Sequence, residues 1–138
     1  MKREFIRKIT FVMMCLTVLA VFTTSCRDDD DEPVQHTLKF EISGNYTGDL
    51  KANLIFAGED SADVETADVT KLTWTKEVEV KGAYNMSMSA MTWDKPGKKG
   101  EKITMKMYAD GKEVKSSSVT ADNDGDIASG IISYSGGN

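Results

Sequence analysis

The stretch Lys102–Thr120, KITMKMYADGKEVKSSSVT, decides the fold. Ile103, Met105 and Met107 alternate with Lys102, Thr104 and Lys106, a period of two that gives a strand one apolar face and one wet face. Asp110-Gly111 follows, and both residues tolerate the positive φ that a two-residue hairpin turn demands. The return strand, Glu113 to Thr120, is serine-rich and weakly apolar, which suits the rim of a sheet. A strand that doubles back through so short a turn must pair antiparallel.

The same alternation recurs on the N-terminal side. Leu38, Phe40 and Ile42 alternate with Lys39, Glu41 and Ser43 up to Gly44-Asn45, and Leu50, Ala52, Leu54 and Phe56 alternate with Lys51, Asn53 and Ile55 up to Gly58. Leu72, Trp74, Val78 and Val80 supply inward residues around Thr75-Lys76-Glu77, as one bent strand or two short ones. Tyr84, Met86, Met88 and Ala90 share a face opposite Asn85, Ser87 and Ser89. Residues 59–68, EDSADVETAD, hold five acidic side chains and few large apolar ones, and read as a loop. A turn over 121–126 leads into a last strand at 127–134, and 136–138 form a frayed end. No stretch after residue 33 has a helical period. The pattern predicts an all-β protein, a single antiparallel Ig-like β-sandwich of about seven or eight short strands over 34–135.

The segment ahead of the sandwich reads as an address. Lys2, Arg3, Arg7 and Lys8 form a basic head, an apolar run spans 9–22, and Thr23-Thr24-Ser25-Cys26 follows, the pattern of a secretory signal peptide. The apolar run falls short of the roughly 20 residues that a bilayer-spanning helix needs. The small residues directly before Cys26 resemble the lipobox of bacterial lipoproteins, although Thr23 stands where Leu or Val is usual. That resemblance implies removal of 1–25, acylation of Cys26 with chains such as palmitate, and attachment to the membrane through an N-terminal lipid anchor. Asp28, Asp29, Asp30, Asp31 and Glu32 resemble the acidic export signal that Bacteroidetes lipoproteins carry beside the anchor. The resemblance implies a lipid-anchored protein of the outer membrane, exposed on the cell surface. The chain then divides into a signal peptide at 1–25, a lipidated cysteine with an acidic linker at 26–33, the sandwich at 34–135 and the tail at 136–138.

Four of the 17 basic residues and one of the 22 acidic ones precede Cys26, so the processed chain has 13 against 21 and a net charge of −8. Such a balance argues against nucleic acid as a partner, because binding a phosphate backbone requires clustered Lys and Arg. Cys15 falls in the removed segment and Cys26 carries the lipid, which leaves the sandwich with no disulfide, thiolate metal site or cysteine nucleophile.

A second resemblance covers roughly residues 38–135. Leu72-x-Trp74, Lys76, the alternating Val78 and Val80, and the Ile103-Thr104 strand ending in Asp110-Gly111-Lys112 resemble the mycobacterial small membrane protein (MmpS-type) domain. Members of that family are membrane-anchored Ig-like sandwiches that assist large lipid and siderophore exporters. Met105 stands where the family often has a cysteine, so the bridge formed there has no counterpart. The resemblance implies the architecture and a role as an accessory to a transporter.

Several residues invite a functional reading. The loop Thr92 to Gly100 sets Trp93 beside Lys95, Lys98 and Lys99, a local reversal of charge in an acidic protein. Loops on rigid sandwiches carry recognition and Trp is enriched at binding hot spots; the competing reading folds Trp93 inward as a lid on the core. Residues 120–127, TADNDGDI, echo a calcium loop with Asp122, Asp124 and Asp126 as weak metal candidates. Thr120 and Ile131 occupy the two end positions that need acids, which favours a plain turn. The pairs Met86/Met88 and Met105/Met107 have the thioethers that Cu(I) or an adaptable apolar pocket would use, but core filling explains them better. His36, the only histidine, reads as an exposed residue at a strand start. Ser116-Ser117-Ser118 has neither a nucleophile elbow nor a base, so no catalysis and no cofactor are expected.

The expected function is a surface-anchored, non-catalytic binding or accessory module of the outer envelope, whose partner is an envelope protein complex, a transporter or a glycan. The alternatives are a structural envelope domain for protein–protein interaction without a small-molecule ligand, and a carrier of an apolar ligand or glycan.

Overall fold

The computed structural model describes residues 32–137. The expected signal segment 1–25, Cys26 and the acidic residues Asp28, Asp29, Asp30 and Asp31 lie outside the described residues.

Eight strands form the described part: β1 (Gln35–Gly44), β2 (Leu50–Ala57), β3 (Ala62–Val69), β4 (Trp74–Lys81), β5 (Tyr84–Thr92), β6 (Lys102–Ala109), β7 (Lys112–Thr120) and β8 (Ile132–Gly136). They build two antiparallel sheets of four, ordered β4-β1-β6-β7 and β3-β2-β5-β8. Only β2–β3 and β6–β7 join chain neighbours within a sheet; every other connection crosses to the opposite sheet. The inner faces of the two sheets share one core, and the protein is an all-β sandwich. Leu38, Phe40 and Ile42 of β1 meet Ile103, Met105 and Met107 of β6 in the first sheet, and Leu54, Met86 and Met88 face them from the second. All four methionines of the two pairs are fully buried, as core filling requires. Asp110 (φ 51°) and Gly111 (φ 78°) make the predicted two-residue turn, with Ala109 opposite Lys112.

Three expectations are corrected. Residues 62–69 are not loop but the edge strand β3, with Val64 opposite Ile55, Thr66 opposite Asn53 and Asp68 opposite Lys51. An edge strand keeps much of its surface in water, so its carboxylates remain solvated while its backbone pairs. Glu65, on the inward side opposite Leu54, meets Lys76 Nζ of β4 at 3.1 Å and closes that flank of the sandwich. An inward-pointing charge on an edge also discourages pairing with another chain. The last strand begins at Ile132 rather than 127: Ile127 is a buried loop residue, whereas Gly130 and the exposed Ile131 interrupt the alternation. Gly136, assigned to the frayed tail, ends β8 opposite Tyr84. Trp74 does face inward but stays half-buried on the edge strand β4.

Candidate functional site

Beyond β5 the chain enters the loop that carries Trp93, and its backbone is tied down on both sides. The Trp93 N–H donates to the Asp49 carbonyl at 3.0 Å, and the Asp49 N–H donates to the Lys95 carbonyl at 2.8 Å. Further along, the Gly97 N–H reaches the Gly125 carbonyl at 3.0 Å and the Gly100 N–H reaches that of Ala121 at 3.1 Å. Tyr46 is the hub of this region. Its phenol donates its single proton to the Gly125 carbonyl at 2.9 Å and accepts from the Gly97 N–H at 3.0 Å. The Thr92 hydroxyl, 2.6 Å away, must therefore donate to Tyr46, and it accepts in turn from the Ile127 N–H at 2.7 Å. Gly125 has φ 87°, and a Cβ there would collide with the Gly97 carbonyl, so only glycine fits this crossing.

Glu101 closes the base of the same loop. Its carboxylate accepts the Lys98 N–H at 3.0 Å and, at 2.9 Å, the Thr47 N–H. The Lys98 amide first, then the bonds from Thr47, hold its carboxyl below the usual range. A depressed folded pKa adds stability that is complete above the unfolded value near 4.5 and is lost as pH falls through the folded value. Glu101→Gln should accordingly unfold more easily than the parent at pH 7, with the two melting curves converging below about pH 4 as the parent carboxylate protonates. A gap that stayed constant down to pH 2 would remove Glu101 from this role.

Trp93 itself is 64% exposed, so the core-lid alternative does not hold. Lys51 Nζ lies 4.0 Å from the centre of its indole and 3.7 Å from the Asp68 carboxylate. Together with Asp49, Asp94 and Thr70 these side chains line an open cleft of about 310 Å³. Lys95, Lys98 and Lys99 are exposed, but none of them lines the cleft. The charges nearest the indole are thus Lys51 and Asp68, which the sequence did not place beside it. Its companions sit on β2, on β3 and in the loop before β2. With β3 read as a loop, nothing in the sequence could set Asp68 opposite Lys51.

The other candidates resolve locally. Asp122 Oδ1 accepts the N–H groups of Asp124 at 2.9 Å and Asp126 at 3.0 Å, so this carboxylate serves as the clasp of a turn. Among the described residues, no group of three or more His, Cys, Asp or Glu side chains is arranged to hold a metal ion. His36 departs from the exposed position expected of it: its side chain is 15% exposed, with Nδ1 2.7 Å from Asp110 Oδ2. Asp110 Oδ1 accepts the Thr37 N–H at 2.9 Å, so the hairpin turn is latched to β1. The hydrogen bond with His36 first, then that from Thr37, lowers the pKa of Asp110.

No protein-family model matches the chain, and neither does any curated protein.

Proposed function

We propose that the chain is a lipoprotein anchored through Cys26 in the outer membrane and displayed on the cell surface, where the sandwich acts as a non-catalytic binding or accessory module of the envelope. The anchor rests on the basic head, the apolar run and the small residues before Cys26, and surface display on the acidic run 28–32. The observation that carries the binding role is Trp93, a large aromatic held 64% exposed on a loop whose backbone is already ordered. A pre-ordered contact residue loses little further freedom when a partner docks, so more of the contact energy is retained as affinity. His36 is engaged by Asp110, and neither it nor the serine run of β7 lines the Trp93 cleft.

Metabolic labelling with a palmitate analogue tests the anchor: the parent should incorporate label and Cys26→Ala should not. Undiminished label on the variant would overturn the assignment. For the binding role, a photo-crosslinking side chain at position 93 in intact cells should give a defined adduct with an envelope component. The same group at position 116, on the outer face of the other sheet, should give none. Equal adducts at both positions, or none at either, would defeat the reading.

A further inference from the structure

The two outer faces of the sandwich differ in chemistry. On the first sheet Lys39 lies 3.5 Å from Glu41, Lys106 lies 3.1 Å from Glu113, and Glu77 stands opposite Lys39, a charge-laced surface of the ordinary solvated kind. On the second sheet, beyond Lys51 and Asp68, the outward positions carry no charge. Asn53 sits between Thr66 and Ser89, and in the next row Ile55 sits between Val64 and Ser87. The polar groups of this face hold one another. Thr66 donates to the Asn53 amide oxygen at 2.9 Å, the Ser87 and Ser133 hydroxyls are 2.9 Å apart, and the Ser135 hydroxyl donates to Asn85. Four of the six exposed large apolar residues among the described ones, Ile55, Val64, Met91 and Trp93, lie on this face or at its end.

We propose that this face binds an uncharged polysaccharide, with one sugar ring on Trp93 and the chain running along β2, an assignment that rests on the binding-module reading and names its ligand. A sugar ring has an apolar C–H face and a rim of hydroxyls. The first matches the face of the indole that Lys51 does not cover. The second matches the cleft, where the carboxylates of Asp49, Asp68 and Asp94 accept hydroxyl protons and Lys51 and Thr70 donate. Charge selects among polymers. An anionic one would meet the three aspartates on a strongly acidic protein, and a cationic one would find no carboxylate along the rows of Asn53 and Ile55, where most of its length must lie. An apolar protein surface would strip water from the hydroxyls and amides of Asn53, Thr66, Ser87 and Ser89 without replacing their hydrogen bonds. Hydroxyls of a neutral glycan replace them. From Lys51 to the end of β2 the face runs about 20 Å at roughly 3.3 Å per residue, the reach of an oligosaccharide rather than of a single sugar.

Affinity electrophoresis of the full-length chain in mild detergent tests this, with α-glucan, β-glucan, mannan, galactan and xylan as neutral probes and alginate as the anionic one. At least one neutral polymer should retard the protein and alginate should not. Trp93→Ala should weaken that retardation at least tenfold, and Ser89→Arg, which puts a charge in mid-face, should weaken it comparably. Ser116→Arg on the opposite sheet should leave it unchanged. All three positions are at the surface, and an unaltered thermal melt confirms that each variant is folded. Retardation by no neutral polymer, or by alginate alone, would overturn the proposal, as would retardation that Trp93→Ala leaves intact. Sedimentation showing a dimer that Ile55→Lys dissolves would assign the face to a second copy instead. An envelope adduct at position 93 without any neutral-polymer binding would remove the glycan and leave the binding module standing.

Discussion

Phe40→Ala is expected to lower the unfolding free energy by about 3–5 kcal/mol, the range for removing a large aromatic from a packed core. Phe40 is fully buried at the middle of β1, the strand that pairs with both β4 and β6. Its ring stands 6.3 Å from that of Phe56 on the other sheet, so truncation opens a void between the layers. Denaturant unfolding of the two proteins measures the loss. Trp74→Ala, which the alternation alone would rank with it, should lose less, because Trp74 sits half-buried on an edge strand whose outer side can relax. A Phe40→Ala variant within about 1 kcal/mol of the parent would mean that the two sheets are not held where the structure has them.

Tyr46→Phe removes one oxygen and should destabilise the protein by about 1–3 kcal/mol, the usual range when buried polar partners lose their mate. The end of β5 and two loops meet at that oxygen: the Thr92 hydroxyl, the Gly97 amide and the Gly125 carbonyl all bond to it. Loss of the phenol leaves the Thr92 hydroxyl free to turn away from the Ile127 amide that it now accepts. The amides of Gly97 and Ile127 should exchange with solvent faster in the variant, while those of β1 and β6 exchange as before. Unchanged exchange at both amides would show that the Trp93 loop is ordered by other means. If the loop does loosen, adducts at position 93 should fall with it, which ties a buried phenol to a surface function.

The central strands were legible because their environment is simple. β1, β2, β5 and β6 each have a neighbour on both sides, so one face of each must be apolar throughout. The alternations at Leu38–Ile42, Leu50–Phe56, Tyr84–Ala90 and Ile103–Met107 follow from that requirement. β3 escaped because an edge strand answers to one neighbour only and leaves its carboxylates in water. The candidate site was half legible. Trp93 stood out as a large aromatic in a Pro/Gly/Lys loop, yet its exposure and its true companions depend on residues distant in the chain.

Alternation and turn chemistry are local properties. The chain by itself therefore determined the all-β class, the inward faces of the central strands and the Asp110-Gly111 hairpin. Strand order, the clasp of Tyr46 on two loops and the end of β5, the pairing of Lys51 with Asp68 and Trp93, and the contrast between a charged and an uncharged outer face were decided only by the tertiary structure. Each depends on which strands lie side by side and in what register, and that is set by the packing of two whole sheets rather than by any one segment.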